Sequence, residues 1–277
     1  MTASTVPTIT LNNGLQMPQL GFGVFQVPDA ETTAAVSAAL EAGYRSIDTA
    51  AIYGNEAGVG RAIAESGIPR DELFVTSKLW IDSLDYDSAM RGYEASLERL
   101  GLETLDLFLI HWPAPASERY LDAWRALAQL AADGRVRAVG VSNFLPAHLD
   151  RLAEASDLVP AVNQVELHPA LQNRETAEAN RRLGIATEAW SPLAQGAVLG
   201  EESVIAIAER HGKTPAQVVL RWHLQQGRIV IPKSVTPARI AANLDVFDFE
   251  LAEAELAAID GLDRDGRTGP HPAEFNG

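Results

Sequence analysis

Cysteine is missing from all 277 residues, which excludes a disulfide framework, thiolate chemistry and any zinc–cysteine site. Long apolar runs are missing too. Nothing approaches the roughly 18 residues needed to span a bilayer, and the opening MTASTVPTIT lacks the basic and apolar segments of a secretory signal. A cytoplasmic chain with no membrane partner is expected. Basic residues are the minority, 22 against 37 acidic ones, for a formal charge of −15. That field repels nucleic-acid phosphates at long range, so nucleic acid is not an expected partner.

Several nucleotide and metal signatures are incomplete. GFGVFQ at 21–26 carries Gln26 where a dinucleotide fingerprint needs its third glycine. HGKTP has Ile207 where a phosphate loop needs its first glycine, and it follows a helix pattern where a strand is required. The six histidines show no HxH or HExxH spacing, so no metal is expected. Glu166 and His168 close a strand pattern and read as a structural pair.

What is present is a repeated unit. ETTAAVSAALEA stops at Gly43 before SIDTA, and SAMRGYEASLERL stops at Gly101 before LDLFLIH. ERYLDAWRALAQLAAD stops at Gly134 before VRAVGVS, and RRL stops at Gly184 before IATEAWS. A glycine after an apolar-periodic segment is the usual helix stop, and a short β-rich run follows each time. In the third helix, Leu121, Trp124, Ala128 and Ala131 are expected on the buried face. With QLGFGV, LFVTSKLW, AVNQVEL and RIVIPKS there are eight strand candidates, most too continuously apolar to have a wet face. Eight such units in about 250 residues predict a (β/α)8 TIM barrel of the α/β class. TITLNNGLQM predicts an N-terminal β-hairpin cap around Asn13-Gly14, and the end of the chain an extra C-terminal helix and tail. No linker or composition break divides residues 1–277, so a single domain is expected.

Each strand candidate turns polar only at its last residues: Asp48, Lys78, His111, Ser142 with Asn143, Gln164, Trp190 with Ser191, and Lys233 with Ser234. In a parallel barrel these ends meet at one rim, where active sites of the fold lie. Tyr53, five residues past Asp48 in SIDTAAIYGNE, reaches the centre of that rim. A phenol of pKa about 10 is a poor acid near neutrality. A neighbouring Lys78 ammonium is expected to lower that pKa, and Asp48 to keep the lysine charged. His111 offers a second hydrogen bond to an oxygen gaining negative charge. The set contains no nucleophile and no metal, so the bond-making partner is expected to be a cofactor, and a hydride donor fits.

These residues carry a resemblance to the aldo-keto reductases, and within them to the bacterial 2,5-diketo-D-gluconate reductase group. DTAAIYGNE, TSKLW, LIHWP, GVSNF, NQVELHP and PKS occur in the family's order, from near Thr8 to near His271. The resemblance implies NADPH-dependent reduction of aldehydes and ketones, keto-sugar acids among them, with Tyr53 as acid, Lys78 and Asp48 as its tuning pair, and His111 orienting the carbonyl. It implies that Ser142, Asn143 and Gln164 hold the nicotinamide carboxamide and that Trp190 stacks on the ring. Ser191, Leu193 and Gln195 would cover the pyrophosphate. Lys233, Ser234, Arg239 and Asn243 would hold the adenosine end, the two cations meeting the 2′-phosphate. Phe22, Trp80 and Trp112 are expected to wall the substrate pocket with His111, and His271 to close over it from the tail. A small-molecule carbonyl is the expected partner of a monomer. Two positions depart from the family pattern: Thr236 replaces an arginine common in close relatives, and Ser46 replaces a common histidine. The alternative is an NADPH-binding, redox-sensing module that regulates a partner protein.

Overall fold

The computed structural model describes residues 6–277. A hairpin of β1 (Thr8–Thr10) and β2 (Gln16–Pro18) comes first, turning at Gly14, whose φ of 86° suits the Asn-Gly pair. Eight parallel strands follow: β3 (Phe22–Gly23), β4 (Ser46–Asp48), β5 (Phe74–Leu79), β6 (Leu105–Ile110), β7 (Val136–Ser142), β8 (Val162–Glu166), β9 (Ala186–Trp190) and β10 (Ile229–Val230). They lie side by side in chain order. Hydrogen bonds from Gly21 N to Val230 O (2.8 Å) and from Val230 N to Gln19 O (3.0 Å) join the first to the last and close the barrel. The hairpin seals the N-terminal end: Leu11 and Met17 are buried against Phe74, Leu107, Leu109 and Val162. The opposite end stays open for chemistry.

The helices that surround the strands are α1 (Asp29–Ala42), α2 (Glu56–Ser66), α3 (Tyr86–Leu100), α4 (Tyr120–Ala132), α5 (Pro146–Ala155), α6 (Arg174–Leu183), α7 (Glu202–His211), α8 (Pro215–Gln225) and α9 (Pro237–Leu244). The extra helix is α10 (Glu253–Asp260), followed by the tail. The glycine stops hold: Gly43 takes φ 114° after α1, a conformation that a Cβ disfavours. HGKTP is a helix junction, with α7 ending at Gly212 and Thr214 capping α8 by a box with Gln217. The buried face of α4 differs from the expected one. Tyr120, Ala123, Trp124, Leu127 and Leu130 point inward, and Leu121, Ala128 and Ala131 flank them half-buried. The larger rings and branched chains gain more from burial than alanine does, and they set the rotation.

Candidate active site

Asp48 ends β4, Lys78 stands one residue before the end of β5, and His111 follows β6 directly. Tyr53 closes a 3-10 turn, Ala51–Tyr53, that lifts the chain out of β4. Lys78 Nζ donates to Asp48 Oδ1 at 2.6 Å and to the Thr49 carbonyl at 2.9 Å, and makes a long contact of 3.4 Å to Tyr53 Oη. All three hydrogens of the ammonium are thereby directed. The Lys78 and Asp48 side chains are 0% and 3% exposed, so little water screens their attraction.

Electrostatics departs from the sequence expectation at Tyr53. Burial, the largest influence, raises its pKa; Lys78 pulls it down, Asp48 and Glu188 push it up, and the net shift is upward. The ammonium lowers the pKa only relative to a phenol equally buried without it. The phenol therefore stays protonated throughout the neutral range. Burial works against the charge of Lys78, yet Asp48 and Tyr53 outweigh it and raise its pKa overall. His111 is held well below the usual imidazole value by burial and then by Lys78, so it is neutral, and its Nδ1 has no hydrogen-bond partner among the described residues. Its ring is 5.5 Å from that of Tyr53 and 5.2 Å from that of Trp80, both edge-on.

On the other side of the mouth, Asn143, with a left-handed φ of 63°, donates to the His111 carbonyl at 3.0 Å and to Ser142 Oγ at 3.1 Å. Its Oδ1 accepts from Trp190 Nε1 at 2.9 Å, which fixes the edge of a half-buried indole. Gln164 is buried and spends both Nε2 hydrogens on carboxyls, Asp48 Oδ2 and Glu188 Oε2, each at 2.8 Å. Past Trp190, Ser191, Ala194 and Gln195 all adopt positive φ, a concentration of non-glycine strain typical of functional loops. Leu193 is half-buried within that loop. Ser234 Oγ accepts from the Thr236 amide at 3.1 Å, and Arg239 donates to Thr236 Oγ1 at 2.9 Å. Asn243 is buried on α9. Lys233 and Arg239 are exposed, and neither forms an ion pair among the described residues.

The pocket walls differ in detail from the expected set. Phe22 is 1% exposed and packs edge-on against Tyr44, behind the strand. The ring beside Tyr53 belongs to Phe25, 55% exposed, with centroids 5.0 Å apart. His271 is exposed and accepts from the Ala273 amide at 3.2 Å. The tail residue that meets the pocket is Phe275, whose ring lies 4.6 Å from Trp112 and 6.2 Å from Trp80. Glu166 holds the tail: it accepts from Thr268 N and Thr268 Oγ1, each at 2.6 Å, from Gly269 N at 3.0 Å and from His168 Nε2 at 3.1 Å. Gly269 then lies so close to the indole that a Cβ there would be 2.6 Å from Trp190 Cη2. Of the departures, Ser46 is buried against Gly21, where a Cβ would meet its Oγ at 2.9 Å. A larger side chain at 46 would have no room in this packing.

A proton donor backed by a buried ion pair, a neutral imidazole beside it, an apolar aromatic mouth and an exposed cationic corner are therefore gathered at one barrel end. The model of the Aldo/keto reductase family matches residues 19–264. The chain is 53% identical over 271 residues to methylglyoxal reductase DkgA of Yersinia pestis, covering 97% of each protein. It is 50% identical over 276 residues to glyoxal reductase of Bacillus subtilis, covering 99% of each. Among solved structures, a Gox0644 mutant in complex with NADPH superposes with a TM-score of 0.95 at 48% identity, over 98% of this chain and 99% of that one. The chain belongs to the aldo/keto reductase family and is, as a member of it, an NADPH-dependent oxidoreductase that acts on carbonyl compounds.

Proposed function

We propose that the protein reduces small aldehydes and α-dicarbonyl compounds to alcohols, with Tyr53 as the proton donor, Lys78 and Asp48 behind it and His111 orienting the carbonyl. One observation carries the reading: Lys78 Nζ, itself fully buried, lies between Asp48 Oδ1 at 2.6 Å and Tyr53 Oη at 3.4 Å. A carbonyl oxygen that accepts from Tyr53 becomes strongly basic as its carbon is reduced, and only then does it take the phenol's proton. Lys78 stabilises the phenolate left behind, and Asp48 keeps Lys78 charged for that purpose. Neutral His111 donates one hydrogen bond to the same oxygen without delivering a proton of its own.

Two features of the chain fit NADPH. Trp190 offers a flat face held at its edge by Asn143, and Gln164 keeps its Oε1 without a hydrogen bond among the described residues. Lys233 and Arg239, without an ion pair among the described residues, offer cations at the head of α9 in a chain of net charge −15, where a phosphate would otherwise be repelled. In this reading Asn143, Ser142, Gln164 and Trp190 hold the nicotinamide end, Ser191, Leu193 and Gln195 the pyrophosphate, and Lys233, Ser234, Arg239 and Asn243 the adenosine end. When bound, the cofactor supplies the hydride.

The walls support this substrate class. The rings in contact with Tyr53 and His111 are those of Phe25 and Trp80, and Trp112 with Phe275 extends the same apolar surface. Such walls suit compact carbonyls of low charge. The relatives named for glyoxal and methylglyoxal reduction support the same class. NADPH consumption with glyoxal, methylglyoxal, simple aldehydes, keto acids and 2,5-diketo-D-gluconate tests it. The dicarbonyl aldehydes are expected to give the highest kcat/KM; turnover confined to the sugar acid would replace this reading with the narrower one.

A further inference from the structure

Glu188 takes no part in the reaction set out above, yet it shares a hydrogen-bond donor with it. It sits within β9, fully buried, in register with Gln164 on β8 and Ile229 on β10. The two hydrogens of Gln164 Nε2 go one to Glu188 Oε2 and one to Asp48 Oδ2, both at 2.8 Å. Glu188 Oε1 has no hydrogen-bond partner among the described residues. The hydrogens of Lys78 are directed to Asp48, Thr49 and Tyr53, so among the described residues no cation pairs with Glu188. Two carboxyls on one neutral amide in a dry interior cannot both ionise cheaply, and the cation decides which one does.

We propose that Glu188 is a positioning residue of the reaction centre: as a neutral acid it orients the Gln164 amide against Asp48, and as an anion it opposes loss of the proton from Tyr53. The charged and titratable groups that face it are Asp48 from β4, Lys78 from β5 and Tyr53 from the turn after β4. β8 contributes the uncharged Gln164 and β10 the apolar Ile229. Glu166, further along β8, is turned to the tail amides. Burial, then Asp48, pushes the Glu188 carboxyl up to about 8, against the smaller opposing pulls of Gln164 and Lys78. Its charge therefore changes within the working pH range, while Asp48, paired with the ammonium, carries the standing negative charge.

The inference rests on Tyr53 being the acid, so Tyr53→Phe is measured alongside. Glu188→Leu leaves one hydrogen of a buried amide without an acceptor, and the single-turnover rate of methylglyoxal reduction should fall about tenfold or more. Glu188→Gln restores an acceptor and should recover most of that loss at pH 6.5. The wild-type rate should decline through an inflection near pH 8, where Glu188 gains its charge, and Glu188→Gln should lack that inflection. Infrared difference spectra of the cofactor-free protein give a readout independent of turnover. A protonated-carboxyl band that disappears as pH passes 8 is expected in the wild type and absent from Glu188→Gln. Superimposable pH profiles for wild type and Glu188→Gln, or the absence of that band, overturn the proposal even if Glu188→Leu does not fold. If Tyr53→Phe abolishes turnover while the Glu188 profiles coincide, this inference alone falls; near-normal turnover in Tyr53→Phe removes the reading beneath it.

Discussion

Removing both members of the Asp48–Lys78 pair should cost less than the two single removals added together. With Nζ and Oδ1 2.6 Å apart, the gross attraction at an effective dielectric of about 20 is roughly 6 kcal/mol. Removing two ions from water costs several kcal/mol each, so against an apolar pair of similar volume the bridge is worth roughly nothing net. One ion left alone is different. Asp48→Ala strands Lys78 on one carbonyl and a long contact to Tyr53, and Lys78→Met leaves Asp48 and Glu188 sharing Gln164 with no cation. Each single change should lose about 3–5 kcal/mol. The double variant should lose at least about 2 kcal/mol less than the two singles combined, because no unpaired charge remains. Asp48 and Tyr53 hold the Lys78 ammonium above its ordinary lysine range in the fold, so the contribution of the pair is full below the unfolded lysine value of 10.5 and disappears as pH rises through the folded value. Urea titrations at pH 7, followed by circular dichroism and tryptophan fluorescence together, measure the cycle. Losses that add to within about 0.5 kcal/mol would refute the coupling on which the proton-donor assignment depends.

Arg239→Ala should weaken NADPH binding by about 10- to 100-fold and spare NADH, with the difference shrinking as salt is raised; equal losses for both nucleotides, read by fluorescence quenching, would make Arg239 structural. Phe275→Ala removes the ring packed on Trp112 and Trp80 and should raise KM several-fold for apolar aldehydes while leaving the NADPH Kd intact, an effect on the order of 1 kcal/mol of lost aromatic contact. An unchanged substrate ranking would contradict it. For stability, burial lifts the Glu188 carboxyl from the ordinary value of 4.5 to about 8 in the fold, so its burial costs nothing below pH 4.5 and an increasing amount from there to about 8. The melting temperature of Glu188→Gln relative to wild type should therefore climb between pH 5 and 8; a constant offset would deny the shift.

The candidate site is legible in the sequence because each group breaks an apolar run: Asp48 after SI, Lys78 in LFVTSKLW and His111 after LFLI have no reason to be there except at a strand end. The strand order is legible for a related reason, since continuous apolar runs between glycine-stopped helices leave a parallel barrel as the economical arrangement. Phe22 and Phe25 were not separable. β3 has only two residues, too few for alternation to say which ring faces the pocket, and Gln26 then turns with φ 58°. The net direction at Tyr53 was hidden because the charge of a neighbour can be read from a chain, but depth cannot. Glu188 lies in IATEAWS, where a mid-strand carboxylate looks like a solvated residue, and its hydrogen-bond partner, Gln164, comes from the adjacent strand. Phe275 follows glycines and prolines that read as a loose end. What fixes it is Glu166 gripping Thr268 and Gly269 from about 100 residues away, a tertiary contact with no local signal.

The most direct test of the central claim is Tyr53→Phe, which deletes one oxygen and leaves the ring against Phe25 and His111. Methylglyoxal reduction is measured by NADPH absorbance, and NADPH Kd by quenching on the same preparation. The account predicts turnover lower by a factor of about 10² or more, the scale of general acid catalysis, with cofactor affinity little changed. Near-normal turnover by Tyr53→Phe, with NADPH still bound, would contradict it.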